Sequence, residues 1–74
     1  MEQRANILLR VPGEHIAAAL QTLPDCETTK ENFIETVYEV PLMGRVHFIW
    51  KRFQHKHGKS TTWFWTAQQA YLME

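Results

Sequence analysis

Hydrophobic and polar residues alternate with a period of two over two long stretches of this chain, and that alternation predicts its strands. From residue 45 onward Val46, Phe48 and Trp50 fall on one side and Arg45, His47 and Lys51 on the other, with Ile49 and Phe53 breaking the polar side. The turn candidate is His57-Gly58-Lys59-Ser60, where glycine at the first central position suits a two-residue type II′ loop. That loop pairs His57 with Ser60, Arg52 with Trp65 and Trp50 with Ala67. It also brings Trp63, Trp65 and Ala67 onto the face of Val46, Phe48 and Trp50, and matching of this kind sets register. Arg52 beside Trp65 is placed for a cation–π contact.

The second alternating stretch is 33–42, FIETVYEVPL, with Ile34, Tyr38, Val40 and Leu42 on one side and Glu35, Val37 and Glu39 on the other. Thr36 interrupts the apolar side. A three-residue loop Leu42-Met43-Gly44, with Gly44 left-handed, joins this strand to the hairpin. It predicts Val40 opposite Val46, Tyr38 opposite Phe48, Thr36 opposite Trp50, Glu39 opposite His47 and Glu35 opposite Lys51, apolar with apolar and acid with base.

Earlier in the chain, NILLRV at 6–11 reads as a first strand stopped by Pro12-Gly13. A helix is predicted over 14–23, EHIAAALQTL, with Ile16, Leu20 and Leu23 at helical spacing, Ala17 and Ala19 beside them, and Glu14 at the positive end of the dipole. Residues 24–32, PDCETTKEN, read as a loop. At the other end, Ala67, Ala70, Tyr71 and Met73 line one side of a short helix starting near Thr66. The predicted fold is a single small α+β domain over residues 1–74. Its order is strand, helix, strand, strand, strand, short helix, with a mostly antiparallel sheet and the helix packed on one face.

Composition adds a limit and an asymmetry. A chain of 74 residues has a small core, and 45% hydrophobic with 12% aromatic residues marks it as globular. The net charge of zero hides a split of three Lys/Arg against seven Asp/Glu over residues 1–39, and five against one over residues 40–74. Residues 45–65 hold all three tryptophans, three of the four histidines and five of the eight Lys/Arg, with no acid. The single Cys26 excludes an internal disulfide, and neither a membrane-spanning apolar run nor a signal peptide is evident, so a cytoplasmic setting is expected.

Candidate chemistry is sparse. Gly58-Lys59-Ser60 echoes the end of a phosphate-binding loop, but the earlier glycine of that pattern falls at Phe53 and the context is strand-turn-strand. His55 and His57 share a strand face with no third ligand evident, so no metal is expected. Cys26 has no histidine to activate it, and His15 has no partner, so no catalytic residue, enzyme activity or cofactor is expected.

What remains is the hairpin's far end. Arg52, Phe53, His55, Lys56, His57, Lys59, Trp63 and Phe64 are the candidate binding residues. A small core with surplus aromatics and sheet edges points to a protein-interaction or self-associating module, with a protein partner or a homodimer. The alternative is a nucleic-acid-binding or regulatory module, in which the basic, aromatic hairpin at 45–65 holds phosphates and stacks on bases. No membrane partner is expected.

Overall fold

The computed structural model describes residues 5–73. In order along the chain are one 3₁₀ turn (Leu8–Arg10), helix α1 (Gly13–Leu20) and strands β1 (Phe33–Val40), β2 (Gly44–His57) and β3 (Ser60–Leu72). The strands form one antiparallel sheet of order β1-β2-β3, so the chain is a small α+β domain.

The hairpin follows from its turn. Gly58 has φ 57°, and among the described residues the only non-glycine with positive φ is Leu42, so Lys59 takes the negative φ that a type II′ loop requires of its second residue. His57 pairs with Ser60, Phe53 with Phe64, Arg52 with Trp65 and Trp50 with Ala67, as the alternation predicts. Fourteen residues in β2, at about 3.3 Å each, account for the molecule's longest extent of 44 Å.

No helix follows Thr66; β3 runs on to Leu72. Ile49 pairs with Gln69 while Trp50 pairs with Ala67, leaving Gln68 as an extra residue at a β-bulge. The bulge rephases the strand, so Ala67 and Ala70, three apart, both stand on the face of Phe48 and Trp50. The spacing that imitates a helix is that of a bulged strand.

The first hairpin differs from expectation by two residues. Val40 pairs with Gly44, Tyr38 with Val46, Thr36 with Phe48, Ile34 with Trp50 and Glu39 with Arg45. Gly44 is left-handed as predicted (φ 96°), but it belongs to β2, and the connection is Pro41-Leu42-Met43 with Leu42 at φ 71°. A slip of two keeps every side chain on its face, so the alternation cannot separate the two registers. In the observed register the Trp50 indole N–H donates to Thr36 Oγ1 at 2.8 Å along the diagonal, Thr36 standing opposite Phe48.

The segment at 6–11 is not a strand. Asn6 Oδ1 accepts the N–H of Leu8 at 3.0 Å, an Asx turn that bends the chain into the 3₁₀ turn. Ile7 and Val11 are buried while Leu9, between them, is fully exposed. The segment meets the outer edge of β3 at one residue: Ile7 N–H donates to Ala70 O at 2.8 Å, and Ala70 N–H donates to Asn6 Oδ1 at 3.1 Å.

Helix α1 ends at Leu20, earlier than its pattern predicts, and the Thr22 hydroxyl donates to Ala19 O at 2.7 Å just beyond it. The buried cluster comprises Ile7, Val11 and Ala19 with Val40, Val46, Phe48, Trp50, Trp65 and Ala70, and Ile16 and Leu23 are partly buried against it. Leu20, expected on the inner stripe, is exposed.

Candidate interaction surface

All the sheet residues in that cluster lie on one face. The opposite face carries Phe33, Glu35, Val37 and Glu39 on β1, Arg45, His47, Ile49, Lys51, Phe53, His55 and His57 on β2, and Thr62, Phe64, Thr66, Gln69 and Tyr71 on β3. In β1 its residues are the exposed ones, alternating with more buried neighbours. Phe33 (58% exposed), Val37 (51%) and Phe64 (43%) are large apolar side chains on this face left in contact with solvent. Among the described residues no buried hydrophobic belongs to it.

The aromatic groups on the open face touch. Phe53 and Phe64, cross-strand partners, stack with centroids 5.9 Å apart and planes at 21°. Lys51 Nζ lies 5.0 Å from the centre of the Phe53 ring and 5.7 Å from that of Phe33, so one ammonium is placed over two rings. Beyond them His55 and His57 meet edge to face, with centroids 4.0 Å apart. At the opposite end Glu35 Oε2 is 3.1 Å from His47 Nε2. Glu35 therefore reaches His47, whereas the alternation predicts Lys51 as its neighbour and Glu39 as the neighbour of His47.

The predicted binding residues divide between the two faces. Phe53, His55, His57 and Phe64 stand together on the open face, and Lys59 is at the turn. Arg52, Lys56 and Trp63 stand on the other face. Arg52 is engaged by the loop that the sequence places at 24–32: Nη1 donates to Thr29 O at 2.7 Å and Cys26 O at 3.4 Å, Nη2 donates to Asn32 Oδ1 at 3.3 Å, and the guanidinium lies 4.2 Å from the Trp63 ring centre. The cation–π partner is thus Trp63, diagonal to Arg52, and not the directly opposite Trp65. The Trp65 indole N–H instead donates to Pro24 O at 3.1 Å.

Sequence reasoning did not single out Phe33, Val37 or Lys51 for this surface. Their signal was present: Val37 and Lys51 fall on the side of their strands away from Val40 and Trp50, and Ile49 and Phe53 already make that side less polar than a solvated face requires.

Among the described residues no group of three or more His, Cys, Asp or Glu is placed to hold a metal ion. Burial pushes the Cys26 thiol above its usual range, with Arg52 opposing and Asp25 and Glu27 adding to the rise. A raised pKa disfavours the thiolate, the nucleophilic form. No helix among the described residues is long and apolar enough to cross a membrane. No family model, curated protein or solved structure matches the chain at a significant level.

Proposed function

We propose that this chain is a protein-interaction module without catalytic activity of its own, and that the open face of its sheet is the binding surface. One observation carries the reading: the chain buries one face of the sheet and leaves Phe33, Val37 and Phe64 exposed on the other, beside half-buried Ile49 and Phe53. Contiguous apolar surface of this kind on a small domain marks a contact site. With α1 taken as cover for the buried face, no element among the described residues is left to cover the open one. The lone free Cys26 suits a reducing, cytoplasmic setting.

The test is site-specific photo-crosslinking. A crosslinker at position 64 is expected to capture a protein that excess unlabelled chain competes away, while one at the exposed but remote Leu9 captures none specifically. Equal, non-competable labelling from both positions overturns the reading.

The hairpin tip supports a second reading, as a module for single-stranded nucleic acid. Residues 45–65 contain no acid, and the stacked Phe53 and Phe64 rings lie between Lys51 and the group His55, His57 and Lys59. Cations beside exposed rings can hold phosphates and stack on bases. Quenching of the intrinsic tryptophan signal by a mixed-sequence oligonucleotide, weakening as salt rises, supports it; no change at low salt removes it.

A further inference from the structure

Of the four histidines, two lie beside a carboxylate and two beside each other. His15 Nε2 is 3.8 Å from Glu14 Oε1, and His47 Nε2 is 3.1 Å from Glu35 Oε2. His55 and His57, both exposed, instead meet with ring centroids 4.0 Å apart and planes at 68°. Among the described residues neither of these two rings forms a hydrogen bond or an ion pair, so their nitrogens are free to bind something else.

The hairpin fixes this juxtaposition. Residues two apart on a strand share a face, about 6.6 Å apart along it. His57 is the last paired residue before the Gly58-Lys59 turn, and the backbone is paired at both positions, His55 with Thr62 and His57 with Ser60. Only the side-chain torsions are left to adjust. Both cross-strand partners are small, so the two rings lean on each other.

We infer that His55 and His57 form a two-imidazole chelate for a divalent late transition-metal ion, zinc, nickel or copper, whose remaining positions are filled by water or by a donor from outside the chain. Imidazole nitrogen is a preferred ligand of these ions. Metal–nitrogen bonds of about 2.0–2.1 Å, at angles between square and tetrahedral, hold two ring centres roughly 4.5–5 Å apart. Opening the pair from 4.0 Å therefore takes about 1 Å or less, within reach of rotation about the side-chain bonds. The expectation of no metal rests on the want of a third protein ligand, and a site completed by water does without one.

The surroundings set selectivity and strength. Residues 45–65 hold no acid, so the pair has no strand carboxylate to offer magnesium or calcium, which take oxygen ligands. Lys59 sits in the turn beside His57, Lys51 lies on the same face beyond Phe53, and Lys56 stands between the two histidines on the opposite face. All three oppose a dication. Two ligands, where a structural zinc site has four, put the zinc Kd on the order of 10–100 µM. Copper should bind more tightly than zinc or nickel. The hydroxyls of Ser60 and Thr62, on the same face, suit the support of metal-bound water. None of this depends on the open face binding a protein.

Isothermal titration of the full chain with zinc chloride, and imidazole ¹⁵N shifts followed by NMR during the same titration, test the site. One zinc ion per chain should bind, the ring nitrogens of His55 and His57 should move together, and magnesium chloride should give no heat. His55→Ala and His57→Ala should each weaken zinc binding by about tenfold or more, with circular dichroism unchanged because both positions are exposed. The double variant His15→Ala/His47→Ala should bind as the wild type does. Zinc binding that survives loss of His55 and His57, or that moves the His15 or His47 rings instead, overturns the assignment. So does the absence of binding up to ~1 mM zinc. Crosslinking from position 64 reads the interaction surface separately and stands or falls without the metal.

Discussion

Arg52 and Trp63 lie diagonally across the long hairpin, with the guanidinium carbon 4.2 Å from the centre of the indole. The same guanidinium donates to Thr29 O and Cys26 O, and Trp65 donates to Pro24 O, so this diagonal pair sits where the loop at 24–32 is tied to the sheet. A planar fork that stacks on a ring and satisfies carbonyls along its edge is a task for arginine that lysine cannot reproduce. Arg52→Met should cost about 2–4 kcal/mol, from lost charge-assisted hydrogen bonds and the cation–π contact. Arg52→Lys should recover less than half of that. Urea unfolding of both variants measures it. The buried Nε has no partner, so part of the arginine's desolvation is already uncompensated in the wild type.

Trp50 is 1% exposed, and its indole N–H has a single acceptor, the Thr36 hydroxyl. Thr36→Val keeps the shape and the strand preference but leaves that donor buried and unpaired. The expected loss is about 1–2 kcal/mol, the cost of an orphaned buried donor, read as a lower urea midpoint at unchanged m.

Leu42 is fully exposed and has φ 71°. A left-handed conformation costs a residue with a Cβ roughly 1–2 kcal/mol, whereas glycine adopts it freely but loses about 0.5–1 kcal/mol through unfolded-state entropy. Leu42→Gly should therefore raise stability by about 0.5–1 kcal/mol, visible as a higher melting temperature.

Gln68 is the residue that β2 does not pair. Removing it leaves Trp50 opposite Ala67, Ile49 opposite Gln69 and Phe48 opposite Ala70, so this deletion in mid-strand should preserve the fold. Deleting Thr66 instead brings Gln68 opposite Trp50 on the buried face and turns Ala67 outward, and should be strongly destabilising. Circular dichroism and thermal melts of the two deletions distinguish them.

The Cys26 thiol, held neutral chiefly by burial, should be alkylated more slowly than an unstructured cysteine, with a rate profile displaced to higher pH. Because the folded pKa lies above the unfolded one, the associated stability is complete below the unfolded value and is lost as pH rises through the folded value. Thermal melts of the wild type and Cys26→Ser across the alkaline range should show the wild type losing more stability than the variant.

Alternation alone determined the two-sidedness of β1 and β2. The turn chemistry of Gly58-Lys59 determined the register of the long hairpin, because a two-residue loop leaves no freedom in pairing. The same patterns placed Phe53, His55, His57 and Phe64 on one side. The tertiary structure decided what local signals leave degenerate. A slip of two residues preserves both faces, so the β1–β2 register was settled by the connection itself, in which Leu42 is left-handed and the Met43 N–H donates to Val40 O. A bulge and a helix both bring Ala67 and Ala70 to one side, and pairing with β2 selected the strand. Ile7 and Val11 are equally a strand face and a helical turn until Asn6 bends the chain and Ala70 receives it. Whether Arg52 was a free cation or a structural one depended on where a distant polar loop docked. The pattern marked the second sheet face as less polar than a solvated one; the tertiary structure added that Ile7, Val11 and Ala19 join the buried cluster with the first face, and that among the described residues no buried hydrophobic lies on the second.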